Sequence, residues 1–348
     1  MRVVRSTAAG VATVLVLTAG CGDATADAEP AAGEHVTLRL GYFPNVTHAT
    51  ALVGVESGIL ADALGGDVTL ETSTFNAGGA AVAALFADAI DATYIGPNPA
   101  INGFGKSDGE ALRIVAGATS GGAFLVVKPQ ITAPADLATT TIASPALGNT
   151  QDVALRAWLH DNGLSADESG GGDVSIRPQE NGATLDSFKA GDIDGAWVPE
   201  PWATRLVQEG GGTVLVDERD LWPDRQYVTT HLIVAANFLD EHPDVVKRLL
   251  QGHVAATDFV TANPDESQQF ANDGIEAITQ KRMDDDVLAG AWNNLTFTTD
   301  PAASSLQMSA DDAIAIGLLD EVDLTGIYAL DLLNEVLTEA GNPTVSGF

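Results

Sequence analysis

The 348-residue chain is predicted to be an α/β protein of two similar lobes with a ligand cleft between them and a helical C-terminal tail. Three observations predict this. A run of strand, polar loop, helix, strand, turn, helix and strand spans residues 36–96 and recurs over 140–198. Each copy ends in the same device, an Ile-Asp pair, an aromatic and two prolines: Ile90, Asp91, Tyr94, Pro97 and Pro99, then Ile193, Asp194, Trp197, Pro199 and Pro201. Beyond Asn237 the β-rich pattern gives way to helical periodicity without strands.

Taken in order, residues 36–42 alternate and are β-rich, which predicts the first strand. Residues 43–47 form a loop and 48–59 a helix. Residues 68–74 predict the second strand, and Asn76-Ala-Gly-Gly79 opens an alanine-rich helix to Phe86. Prolines cannot donate to a central ladder, so the Ile-Asp strand must leave its sheet at Pro97. Residues 112–118 and 123–128 predict two strands joined by a turn at 119–122. In the second copy, strands at 140–144, 173–178 and 196–198 alternate with helices at 151–162 and 183–190. Residues 214–216 and 232–235 add strands, and helices follow at 243–262, 264–280, 284–293, 309–319 and 328–340.

The composition is globular, with 45% hydrophobic and 18% charged residues. Acidic residues outnumber basic ones 48 to 16, a formal charge of −32, which repels phosphate backbones and argues against nucleic-acid partners. An anion would have to be held by short-range donors. The single cysteine excludes an internal disulfide. Arg2 and Arg5 precede an apolar run that is too short to span a bilayer and ends at Gly20-Cys21, the pattern of a signal peptide over residues 1–20. Thr18-Ala-Gly-Cys21 resembles the lipobox of bacterial lipoproteins, with Leu17 one position early; an ordinary secretory signal is the alternative. On this reading Cys21 is lipidated and residues 21–35 form a flexible tether.

Both polar loops lie between a strand end and a helix start, where free N–H groups and about half a positive charge can bind an anion. Gly148, Asn149 and Thr150 are the first candidates, with Asn45, Thr47 and His48 as their partner set and Asn76 and Gly78 as a third. The alternative for each loop is a plain helix cap. Trp197 could line the pocket or belong to the core. Glu200 could accept an amine from a zwitterion or be a solvated carboxylate. His48 and His231 could donate to an oxyanion or be structural. The histidines lack metal-ligand spacing and no calcium-loop pattern is present, so no metal is expected. Neither a nucleophile elbow nor a phosphate or dinucleotide glycine loop is found, so neither catalysis nor a cofactor is expected.

Gly41-Tyr-Phe-Pro-Asn-Val-Thr-His48, Phe75-Asn-Ala-Gly78, Tyr94-Ile-Gly-Pro-Asn-Pro99, Leu147-Gly-Asn-Thr-Gln-Asp152 and Trp197-Val-Pro-Glu-Pro-Trp202 resemble the substrate-binding lipoproteins of ABC importers for sulfonates, nitrate and taurine. The resemblance implies a type II periplasmic-binding-protein fold, with one lobe from 36–128 and 232–348 and the other from 129–231. It implies an exported monomer, lipid-anchored to the outer face of the cytoplasmic membrane, that delivers its solute to a permease driven by an ATPase. Carried onto matching positions, it implies ligand contacts at Tyr42, Asn45, Thr47, Asn76, Gly78, Gly96, Asn98, Asn149, Thr150, Trp197 and Glu200. An aliphatic sulfonate or taurine is the first expected ligand, nitrate or bicarbonate the second. An enzyme related to thiamine-pyrimidine synthesis and an adhesion module are the competing classes.

Overall fold

A computed structural model describes residues 35–167 and 169–348. The expected signal peptide, Cys21 and nearly all of the tether lie outside the described residues.

The first sheet has six strands in the order β11 (Leu295–Phe297), β4 (Leu112–Gly121), β10 (Val228–Ala235), β3 (Ala92–Ile95), β1 (Val36–Tyr42) and β2 (Val68–Thr74), and the second has five in the order β7 (Ser175–Pro178), β6 (Thr141–Ser144), β8 (Gly195–Pro199), β5 (Ala123–Val127) and β9 (Thr213–Asp217). The strands β1 (Val36–Tyr42), β2 (Val68–Thr74) and β3 (Ala92–Ile95) are parallel, with β1 in the middle. The strands β6 (Thr141–Ser144), β7 (Ser175–Pro178) and β8 (Gly195–Pro199) repeat that arrangement around β6. Each set then meets one antiparallel strand: β10 (Val228–Ala235) beside β3, and β5 (Ala123–Val127) beside β8. The sequence repeat is therefore a structural repeat.

The repeated Ile-Asp pair has a local cause. Asp91 Oδ2 accepts the backbone N–H of Arg39 at 2.7 Å, and Asp194 Oδ2 accepts that of Thr141 at 2.9 Å. In both copies the aspartate's own N–H returns a bond to the same residue's carbonyl at 2.8 Å. Each aspartate thus clips the start of the third strand onto the first, where an unpaired backbone donor would otherwise be left. Arg39 also pairs with Asp91, an addition the second copy lacks.

The lobe boundaries differ from expectation. The strands β4 (Leu112–Gly121) and β5 are not a hairpin: β4 belongs to the first sheet and β5 to the second. The chain crosses at Gly121-Gly122, whose φ values of +77° and +75° call for glycine, not at Lys128-Pro129. It returns between β9 (Thr213–Asp217) and β10 through two 3-10 turns, so residues 228–231 stand in the first sheet. The tail also differs, since β11 (Leu295–Phe297) adds a short antiparallel strand on β4, with Leu295 opposite Gly121.

The helices that position the site are α1 (Ala49–Glu56), followed by the short α2 (Ile59–Leu64) away from the site, then α3 (Gly78–Phe86) and α4 (Pro97–Lys106) in the first lobe, and α5 (Thr150–Asp161), α6 (Asn181–Ala190) and α7 (Trp202–Gln208) in the second. Neither α4 nor α7 was expected. The prolines that end the strands also begin helices, Pro97 as a first-turn residue and Pro201 as the cap position. The tail helices Pro243–Ala262 and Pro264–Thr279 start where capping preferences place them, whereas the helix expected at Ser309 runs over Ala303–Ala315.

The second sheet is buried on both faces. Leu125, Val127 and Trp197 face the α5 side, and Phe124, Val126, Ala196 and Val198 face the side of α6 and α7. That period of two fixes the direction of Trp197.

Candidate functional site

A small cavity of about 40 Å³ lies between the lobes. Phe43, Asn45, Thr47, His48, Gly78, Gly96, Pro99, Thr229 and Thr230 line it from the first lobe, and Asn149, Thr150, Gln151 and Pro199 from the second. Most of these residues follow the C-terminal ends of parallel strands: Phe43 after β1, Gly78 after β2, Gly96 after β3, Asn149 after β6, with Pro199 ending β8. Side chains and helix starts converge at that edge in open α/β sheets.

Four helical N-termini meet here. Residues Val46–His48 form a 3-10 turn leading into α1, and α3, α4 and α5 begin at Gly78, Pro97 and Thr150. At none of these starts does the cap residue (Asn45, His48, Ala77, Gly96 or Asn149) make a side-chain cap bond. The plain-cap alternative therefore fails for Asn45 and Asn149, and first-turn N–H groups are left for another acceptor, although α4 offers only that of Asn98 because Pro97 and Pro99 have none.

The lining contains no Lys, Arg, Asp or Glu. Asp152, which follows the lining residue Gln151, is turned inward. It accepts Ser144 Oγ at 2.6 Å, the Gly148 N–H at 3.0 Å and Arg156 Nε at 3.0 Å, both members of the pair being buried. Asp152 thus shapes the Gly148-Asn149-Thr150 loop while Arg156 balances its charge. Sequence reasoning did not single it out, although a carboxylate two residues beyond an Asn-Thr helix start is a usable signal.

His48 is buried and neutral, its pKa pushed down to about 3 by loss of solvation. Its Nδ1 accepts the Phe43 N–H over a long 3.4 Å, and its ring stacks on Phe43 with centroids 4.6 Å apart. The ring proton then sits on Nε2, giving the cavity a neutral donor. Thr47, Thr150, Thr230 and Gln151 complete the polar lining together with Thr229, whose hydroxyl already donates to the Gly121 carbonyl.

Of the expected site residues, Asn45, Thr47, His48, Gly78, Gly96, Asn149 and Thr150 are brought together. The others go elsewhere. Trp197 is in the second-lobe core, its Nε1 donating to Glu218 at 2.6 Å and its ring edge-on to Trp158. Glu200 is fully buried at the crossover and accepts Thr204 N, Thr204 Oγ1 and Asn294 Nδ2. Asn98 Nδ2 donates to the Ser309 carbonyl, and His231 Nε2 to that of Pro301. Gly148 serves the turn, with φ of +72° and its N–H on Asp152. Tyr42 is in the first-lobe core and Asn76 is exposed. Phe43, Pro99, Gln151, Pro199, Thr229 and Thr230 were missed.

The NMT1-like family matches this chain over residues 31–273, the stretch that carries both lobes' repeats and all of the cavity. The chain belongs to the NMT1-like family. It is 28% identical over 197 residues to the taurine-binding periplasmic protein of Escherichia coli K12, covering 57% of this chain and 59% of that one. Its fold matches the periplasmic nitrate-binding protein NrtA from Synechocystis, with a TM-score of 0.70 at 19% identity, covering 88% and 89% of the two chains. It also matches the alkanesulfonate-binding protein SsuA from Xanthomonas axonopodis, bound to MOPS, with a TM-score of 0.68 at 19% identity over 84% and 96%. This NMT1-like chain therefore has the two-lobed periplasmic-binding-protein fold expected of it.

Proposed function

We propose that this chain is the solute-binding component of an ABC importer and that it captures a small oxyanion between its lobes. The observation that carries the reading is the convergence of four uncapped helical N-termini on one charge-free cavity. Fixed N–H dipoles hold an anion without a counter-charge, which suits a ligand that must later be released. Family membership and the taurine-, nitrate- and sulfonate-binding relatives support the same reading. Export, a lipid anchor at Cys21, a monomeric state and docking on a permease with its ATPase complete the proposal.

The lining favours one side of the expected ligand choice. The carboxylate assigned to a zwitterion's amine, Glu200, points away into its own bonds with Thr204 and Asn294. A bare oxyanion such as nitrate or bicarbonate, or the head of a simple sulfonate, then fits better than taurine.

Calorimetry and thermal shift on the mature protein with nitrate, bicarbonate, methanesulfonate, ethanesulfonate and taurine test this. A ligand at about 100 times its Kd should add about 2.7 kcal/mol of stability. Ethanesulfonate should bind more tightly than taurine. Silence towards every oxyanion would overturn the carrier reading, and recovery of a chemically altered ligand would replace it with an enzyme.

A further inference from the structure

A second concavity adjoins the anion cavity. It is a groove of about 620 Å³ between α6 and α7 of one lobe and the tail segment 275–284 of the other. The two linings share no residue but are linked through Asn45 on the cavity side and Trp202 on the groove side, with Pro44 beside Asn45 also lining the groove. Trp202 Nε1 donates to Asn45 Oδ1 at 3.0 Å, so the indole and the amide form the partition. The indole is held on two further sides. The Arg205 guanidinium lies 4.9 Å from the ring centre, and a Cβ on Gly182 would stand 3.8 Å from Cη2.

We propose that Trp202 is the specificity gate of the anion site, excluding oxyanions that carry a long organic tail. The inference rests on the carrier reading above. With the partition shut, about 40 Å³ is left for the ligand, which suits a compact head group, and the groove that could house a tail lies behind the indole. The groove is charge-balanced, with Arg205, Lys281 and Arg282 set against Asp186, Glu209 and Asp284 and with Arg205 paired to Glu209, so its contribution is space and not an attracting field. Removing the indole would join the two spaces and give an alkyl tail somewhere to go.

The experiment compares methanesulfonate with hexanesulfonate by calorimetry, on the mature protein and on Trp202→Ala. Trp202→Phe serves as a variant that keeps ring bulk, and the melting temperature of each empty protein is recorded. The expected result is a preference of at least tenfold for methanesulfonate in the parent, falling at least tenfold in Trp202→Ala and less in Trp202→Phe. An equal affinity for both sulfonates in the parent, or an unchanged ratio in a folded Trp202→Ala, overturns the gate and leaves the carrier reading standing. Failure of the parent to bind any oxyanion overturns both.

Discussion

The indole N–H of Trp202 bonds to Asn45 Oδ1 at 3.0 Å, joining the first turn of α7 in one lobe to the loop after β1 in the other. Asn149 and Thr150 likewise meet Gly78 and Gly96 across the cleft: a Cβ on Gly96 would stand 2.5 Å from Thr150 Oγ1, and one on Gly78 3.5 Å from Asn149 Oδ1. The lobes thus approach closely around the cavity, and on the carrier reading the bond between Trp202 and Asn45 belongs to the closed state. A neutral hydrogen bond contributes about 1 kcal/mol net. Trp202→Phe is expected to speed release of a bound oxyanion about fivefold while leaving the association rate nearly unchanged. Stopped-flow kinetics measures both, and an unchanged release rate would show that closure does not depend on this bond.

Gly96→Ala isolates closure from folding. Gly96 has φ −72° and ψ 159°, a conformation open to any residue, so the added methyl strains nothing in its own lobe. Its clash is with Thr150 Oγ1, which arrives only when the lobes meet. The empty protein should keep or slightly raise its melting temperature. Affinity should fall at least tenfold, and Thr150→Ala in the same protein should restore part of it. A loss of stability equal to the loss of binding would place the clash within the empty state.

Asn149→Ala separates a ligand donor from a helix cap. Losing a true N-cap bond costs about 1 kcal/mol. Asn149 makes no such bond, so the unliganded stability should change by less than that while oxyanion affinity drops at least tenfold. A melting-temperature loss in the empty protein with unchanged calorimetric affinity would restore the capping role.

Much of this was legible because local chemistry dictated it. The strands β1 and β2 fall on the residues expected, β1 from its alternation, and the repeated Ile-Asp pair marks a repeated clip made by Asp91 and Asp194. The Asn45 and Asn149 loops could be found from helix-start physics alone. What was lost depends on tertiary partners. Glycines 121 and 122 read as a hairpin turn, and only the pairing of β5 with β8 and β9 makes them a crossover between sheets. The resemblance implies ligand contact for Trp197 and Glu200, while the residues alone leave Trp197 between pocket and core and Glu200 between ligand and solvent. The pleat sends Trp197 to the core, and Asn294, 94 residues further along, claims Glu200. Thr229 and Thr230 carry no signal of their own in a strand, because the cavity beside them is made by other segments.

Glu200 is accordingly expected to govern stability rather than ligand choice. Its carboxyl accepts three bonds in a fully buried position, one of them from Asn294 at 2.6 Å in the other lobe. Glu200→Ala leaves buried donors without a partner, at about 1–3 kcal/mol. Chemical denaturation should register that loss, while the ratio of taurine to ethanesulfonate affinity stays within twofold of the parent. A ratio that shifts by tenfold would return Glu200 to the ligand.

The pH dependence of stability follows from buried groups that hold one protonation state. Burial pushes His48 down to about 3 and His231 and His253 down to about 4, from an ordinary 6.5. Below pH 6.5 the unfolded chain takes up protons that the native chain refuses, so each histidine removes about 1.4 kcal/mol per pH unit as acid is added, down to its native value. Glu218 works in the opposite direction. Burial raises it from 4.5 to about 8, with Asp312 and Asp217 nearby reinforcing the shift and the bond from Trp197 Nε1 resisting it. Its native carboxyl stays protonated while the unfolded one ionises, so stability is lost as pH rises from 4.5 towards 8. Asp312, raised to about 6, acts with Glu218 only below that pH. Glu200, which burial also raises, acts in the same direction as Glu218. Between pH 6 and 6.5 the three histidines outweigh these two glutamates, and Glu218 acts without the histidines above that, which places the maximum near pH 6.5. Urea unfolding of the empty protein at pH 5, 6.5 and 8 should trace this dome. Glu218→Gln, which cannot ionise, should remove a decline of about 2 kcal/mol between pH 6.5 and 8. A parent and variant with superimposable profiles would mean that Glu218 is already ionised in the native state.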